Sequence, residues 1–218
     1  MGEYLAWLHG EYLPEMLSRH GILWSAHVEN VMTPERERAS KTIKTTDPTV
    51  PAGNGYLLLF GAESPHTFMD PPPAELVAGL PPRSQAMLAR RVAPRSCVFV
   101  EVARVEGPAI EQRAPGITPG PVIQFGSFNI NALENEDGLE AWYARARLPL
   151  MRGIQGCVGA RKLVSISGWA KHGILYEFES LEAVEKYFVD PIDWWDRVIK
   201  NLVHAPHSPS LGRRIWPS

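Results

Sequence analysis

Three polar side chains near the N-terminus stand where proton chemistry would need them. Tyr12 shares a stripe at three-to-four spacing with Leu5, Leu8 and Met16, so a helix over residues 3 to 19 turns its phenol toward the packed side. His9 precedes it by three positions and is a neighbour on the same helical surface. Beyond Gly21, a helix stop, "ILWSAHVENV" reads as a strand. Its alternation puts Leu23, Ser25, His27 and Glu29 on one face and Trp24, Ala26 and Val28 on the other. A phenol hydrogen-bonds a carbonyl or phenolate, and it moves a proton when a cation lowers its pKa from about 10. Histidine titrates near neutrality and is the natural partner. Tyr12, His27 and His9 are therefore the candidate catalytic groups, with Trp24 and Glu29 as substrate contacts. Each has a plain alternative: a core tyrosine satisfied by a backbone carbonyl, or a structural or surface histidine.

Other chemistries lack their spacing. There is no HExxH or other tight ligand set for a metal, no GxGxxG or GxxxxGK[ST] loop for a nucleotide, and no GxSxG elbow. No metal or cofactor is expected. Cys97 and Cys157 are too few and too far apart for a disulfide framework and read as buried small hydrophobes. His66 and His172 flank strands in turn-like contexts and are expected to be solvated. Trp169, Trp194, Trp195 and Trp216 are expected to pack the core rather than form an aromatic cage. A formal charge of -2, with 44% hydrophobic and 21% charged residues, gives no field to gather nucleic acid or anionic lipid. No stretch approaches the ~20 apolar residues of a membrane helix, and a cytoplasmic location is expected.

The elements that must position these groups are written twice. Trp7 and Pro14 match Trp142 and Pro149 at an offset of 135, within a shared pattern Trp-x-x-x-x-x-Leu-Pro-x-Met. "YLLLF" ending at Phe60 matches "ILYEF" ending at Phe178 at an offset of 118, and "FMDP" at Phe68 matches "FVDP" at Phe188 at 120. The fall in offset places an insertion in the first copy, over residues 33 to 55, long enough for a lid or a structureless loop. Further helices are expected over residues 74 to 91, 138 to 152 and 181 to 202, with strands at "GYLLLFGAE", "CVFVEVARV", "VIQFGSFNI", "CVGARKLVSI", "GILYEFE" and "LGRRIWP". The second copy is then strand, helix, strand, strand, helix, strand, the split unit of the ferredoxin-like fold. The expected class is α+β, with two such βαββαβ repeats over residues 1 to 106 and 121 to 218, joined by a linker over 107 to 120. The first repeat lacks its leading strand, which either is absent or is supplied by another segment or subunit.

"EYLAWLHGEYLPEM" followed by "GILWSAHVENV", and their echoes "AWYARARLPLM" and "GCVGARKL", resemble the EthD-like group of the dimeric α+β barrel superfamily. That resemblance implies two sheets packed face to face, here as a pseudo-dimer within one chain or in a homodimer, and a small aromatic substrate held between sheet and helices. It implies a cofactor-independent enzyme acting by proton transfer on an aromatic or polyketide-like compound, as lyase, decarboxylase, isomerase or cyclase. A cofactor-free monooxygenase, or a binding protein without catalysis, is the alternative. The family's helix histidine, just before Leu-Pro, falls on Tyr12 in one copy and Arg147 in the other. Arg147 on that site would clamp a carboxylate or phenolate. Arg161 and Lys162 follow on a strand where only one can face inward, and the expected substrate-binding pair is Arg147 with Arg161.

Overall fold

The computed structural model describes residues 2–33, 42–113, 118–188 and 198–217. It is a mixed α+β chain built on a strongly curled sheet. Helix α1 runs through Gly2–Trp7, a π turn Leu8–Tyr12 and Leu13–Leu17. Strand β1 is Ile22–Asn30, β2 is Ile43–Lys44 and β3 is Tyr56–Ala62. Helices α2, Pro73–Gly79, and α3, Pro82–Leu88, precede β4, Val98–Glu106. In the second half β5 is Val122–Ile130, and α4 runs through Glu136–Trp142, a π turn Tyr143–Arg147 and Leu148–Met151. Strands β6, Cys157–Ser167, and β7, His172–Phe178, lead to α5, Leu181–Tyr187, and then to β8, Leu202–His204, and β9, Ser210–Trp216.

The sheet order is β3-β1-β9-β5-β7-β6-β4, antiparallel throughout, with β8 beside β5 and β2 parallel to β8. β1 and β6 stand four places apart in that order. On a flat sheet this is about 19 Å. Yet the Arg161 guanidinium of β6 lies 5.5 Å from the centre of the Trp24 ring of β1. Only a sheet curled on itself brings these two together. Val28, Ile123 and Leu175 line the inside of the curl with Leu57, Leu59 and Phe125. Gly61 on β3 leaves room there: a Cβ at this position would meet Trp24 Nε1 at 2.0 Å.

The helices cover the outside in two layers. In the first, Trp7, Leu8, Tyr12, Leu13 and Met16 of α1 pack with Leu80 and Met87, against Leu58, Phe60 and Trp216 of the sheet. In the second, Leu139, Trp142, Tyr143, Leu148 and Met151 of α4 pack against Phe128, Ala160, Ile174, Tyr176 and Phe178. Both long helices widen at the same point. Pro14 has no N–H for the carbonyl four residues back, Gly10, and Pro149 has none for Arg145, so a regular turn would clash at each. The π turns absorb that conflict: Leu13 N–H donates to Leu8 O and Leu148 N–H to Tyr143 O, five residues back. Each helix then stops at a left-handed glycine, Gly21 at φ 82° and Gly156 at φ 72°.

Several expectations change. The helix expected over residues 74 to 91 is two, because Leu80 is extended before Pro81 and Pro82. The helix expected to run to residue 202 stops earlier, since Leu202–His204 is β8 hydrogen-bonded to β5. Within the insertion, Ile43 and Lys44 join the sheet beside β8, and Lys44 Nζ donates to the Ser208 carbonyl. Residues 34–41, and Trp194 and Trp195, lie outside the described residues.

The linker is fastened. Arg113 donates from Nε and Nη2 to Glu177 Oε2 and Oε1 at 3.1 and 3.0 Å, and Gly120 N–H donates to Oε2 at 2.8 Å. Arg161 Nε adds a bond to Oε1 at 2.8 Å. Burial alone would push the Glu177 carboxyl up, but Arg161 and Arg113 hold it below its ordinary value. The carboxylate has no exposure, so removing its charge takes from Arg113 and Arg161 the buried carboxylate both bond. Glu177→Gln is expected to cost about 3–5 kcal/mol, read as a lower midpoint in urea unfolding. A midpoint within error of the parent would show that the pair does not hold this end of the curl together.

Candidate functional site

The first helical layer gathers the proton-transfer candidates. His9, on the π turn of α1, places Nε2 2.9 Å from Nδ1 of His27 on β1. His27 is buried at 2% exposure, its ring against Tyr56 at 4.9 Å, while His9 is half-buried and stacks on Trp216 at 6.2 Å. The alternation expected for β1 therefore sends His27 toward the helix that carries His9. Burial, then the neighbouring His9 and the Arg91 cation, depress the His27 pKa to about 4. It is a neutral imidazole at pH 7 with one lone pair, and the same burial makes it a weaker base than a free histidine. Burial lowers His9 as well.

Tyr12 is buried in the same layer, its ring 5.2 Å from Trp7. Burial raises its pKa, and Arg91, whose guanidinium lies 5.7 Å from the ring centre, pulls it only partly back. The phenol is a proton donor, not a phenolate. Arg91, in the segment after α3, was not singled out from sequence. Its Nε donates to Tyr4 Oη at 2.9 Å.

The second layer repeats the backbone with different chemistry. An offset of 135 sets Tyr143 opposite Leu8, Arg147 opposite Tyr12 and Lys162 opposite His27. Arg147 is buried at 3% exposure. Its Nε donates to Tyr176 Oη at 2.8 Å and its guanidinium lies over Phe188 and Tyr176 at 4.6 and 4.9 Å. Lys162, 1% exposed, reaches Glu140 Oε1 at 2.8 Å, His172 Nδ1 at 3.1 Å and the Leu163 carbonyl at 3.3 Å. His172 Nε2 in turn lies 3.0 Å from Glu136 Oε2. The hydrogen bond from His172, against partial burial and aided by Lys162, draws the Glu140 carboxyl down to about 2.

The expected sharing of one ligand by Arg147 and Arg161 is not what the structure assembles. Tyr176 and Glu177 are adjacent on β7 and point to opposite faces; Arg147 binds the first and Arg161 the second. Arg161 belongs to the inside of the curl with Trp24, and Lys162 to the layer of Arg147. Trp24 is likewise separated by the sheet from His27, and Glu29 is exposed at the end of β1. His172, expected in solvent, is 1% exposed and stacks on Phe128 at 5.6 Å. Among the described residues no group of three or more metal-ligating side chains converges, and no helix is long and apolar enough to cross a membrane. Cys157 is fully buried, its thiol pushed up to about 12 by desolvation.

Comparison of the sequence with models of known protein families gives no match, and a search of curated proteins finds no relative. The chemistry therefore rests on the geometry.

Two buried imidazoles set a pH dependence. His204, 5% exposed, is lowered to about 3 by burial and by Lys44, and His27 to about 4. In the unfolded chain both titrate near 6.5. As pH falls from about 6.5 toward 4, the unfolded state binds protons that the folded state does not. Stability present at pH 7 is then lost with a slope approaching about 1.4 kcal/mol per pH unit for each histidine. Urea unfolding at pH 7, 6 and 5 should show this slope, reduced in His27→Gln and again in His27→Gln/His204→Gln. An unchanged slope in the double variant would refute the assignment.

Proposed function

We propose that the protein is a cofactor-independent enzyme that moves protons on a small aromatic or polyketide-like compound held between α1 and the sheet. The observation that carries this reading is the contact of His9 with His27. A half-exposed imidazole hydrogen-bonded to a buried, neutral one is a relay that takes a proton from a C–H or O–H acid and passes it outward. Tyr12, a neutral phenol in the same layer, stabilises the developing oxyanion by donating to it. The reaction class is enolisation, with the isomerisation, cyclisation or decarboxylation that an enolate intermediate permits.

The finer fold reading supports the same proposal. In the second half the order β9-β5-β7-β6 is that of a ferredoxin-like βαββαβ repeat, its last strand beside its first. In the first half β1, β3 and β4 take the places that β6, β7 and β9 take in the second. Each half lends its last strand to the other: β9 pairs with β1, and β4 with β6. This pairing supports reading the chain as an EthD-like, dimeric α+β barrel completed within one chain, an internal pseudo-dimer rather than a homodimer. Among the described residues β3 and β4 are the two ends of the sheet order, and a leading strand of the first repeat would sit between them.

The test is solvent exchange. Aromatic 1,3-dicarbonyl compounds and aryl β-keto acids incubated in D2O should lose their acidic C–H signals by NMR faster with the protein than without it. His27→Ala should reduce that exchange by about 100-fold or more and Tyr12→Phe by about tenfold. Exchange undiminished in His27→Ala would end the assignment.

A further inference from the structure

The first layer contains a cation, Arg91, for which no carboxylate partner stands among the described residues. Its two neighbours in sequence and space are paired: Arg90 Nη1 lies 3.0 Å from Glu3 and Arg83 Nη2 lies 3.2 Å from Glu11. Arg91 is not. Its Nε is taken by Tyr4, its Nη2 is fully covered from solvent, and among the described residues neither a hydrogen-bond acceptor nor a carboxylate reaches that nitrogen. An enclosed guanidinium nitrogen without an acceptor is costly unless something fills the place.

A second group in the layer has the same character. Ser25 precedes His27 by two residues on β1, so both side chains leave the face toward α1. Its Oγ is buried, at 2% exposure, and has no partner among the described residues. A hydroxyl in that position is a donor awaiting an acceptor. The other charged groups near Tyr12 do not answer either need. Arg19 donates to the Thr67 carbonyl at 3.3 Å, and Glu15 is exposed.

We propose that this layer binds an organic anion, a carboxylate or enolate carried on an aromatic skeleton, with Arg91 Nη2 as the charged donor and Ser25 Oγ as a second donor. This rests on the proton-transfer reading for the location of the substrate, and it names the substrate class: an acid, not a neutral ketone. It also moves the anion-binding role from Arg147, whose Nε donates to Tyr176, and Arg161, whose Nε donates to Glu177, to a residue of the same layer as His27. The Arg91 guanidinium lies 5.7 Å from the Tyr12 ring centre and its charge acts on His27, so an anion held by Arg91 would bring a proton α or vinylogous to it toward that imidazole.

The experiment uses benzoate as probe and benzamide, its neutral isostere, as control, by isothermal titration of the whole chain. Benzoate should bind saturably at one site, roughly tenfold or more tighter than benzamide. Arg91→Gln should bring benzoate down to the benzamide level, Arg91→Lys should recover part of the loss, and Ser25→Ala should weaken benzoate by a few-fold. Thermal midpoints of the variants identify any that fail to fold, and Arg91→Lys, which keeps the charge, then carries the comparison. Benzoate binding that is absent in the parent, no tighter than benzamide, or unchanged in Arg91→Gln would overturn the proposal. His27→Gln separates the two readings: it should keep benzoate and lose exchange. Loss of exchange without any effect of Arg91→Gln on benzoate would leave proton transfer standing and remove the anion subsite.

Discussion

Glu177 is a carboxylate with no exposure on a strand buried over its whole length, and the rest of the molecule is arranged around the cost of putting it there. An unpaired carboxylate in that position would be protonated or would unfold its surroundings. Arg161 and Arg113 prevent both, and each does more than neutralise. Arg113 ties the connection between the two halves to β7, and Arg161 extends from β6 to cover the Trp24 ring from β1. The same charges that keep Glu177 ionised thus draw the sheet into its curl. With the curl fixed, one face of every central strand is committed to the interior, and the outer face beneath the helices carries His27 below His9 and Tyr12.

On that outer face one backbone solution is used twice. A proline in each long helix forces a π turn, a glycine ends the helix, and a strand returns beneath it. The side chains have diverged within this common frame. His27 and Lys162 occupy equivalent sites, as do Tyr12 and Arg147, so the first layer holds a neutral base and a neutral phenol where the second holds two cations among carboxylates and aromatics. Duplication supplies the positions and substitution supplies the difference in electrostatics. A hydrophobic residue, Leu8, on one side and Tyr143 on the other complete the contrast.

What could be read from the residues was what repeats or alternates. The offset of 135 located both long helices and both strands after them, and alternation on β1 correctly sent Ser25 and His27 to one side and Trp24 to the other. Alternation also required Arg161 and Lys162 to part. It could not say which faced the helix, because β6 is buried on both faces over this stretch and each cation finds partners. His172 looked like a turn residue from its neighbours Lys171 and Gly173, and only the sheet pairing of β7 with β5 and β6 shows it enclosed. Arg91 carried no signal at all. Its place over Tyr12 is made by contacts between segments about eighty residues apart, and no local pattern encodes those.

The two layers differ most in what they leave open. In the second, the Lys162 ammonium lies against Glu140, the His172 ring and the Leu163 carbonyl, and the Arg147 guanidinium is enclosed by Tyr176 and Phe188. A ligand reaching the Lys162 ammonium there must first break its bonds to Glu140 and the Leu163 carbonyl, and the loss offsets what it gains. In the first layer, Arg91 Nη2 and Ser25 Oγ have no bond to break among the described residues, and they are fixed by Tyr4 on one side and by the β1 ladder on the other. Donors held in place before the charge arrives stabilise it without reorganisation, which is the condition under which an electrostatic contact lowers a barrier.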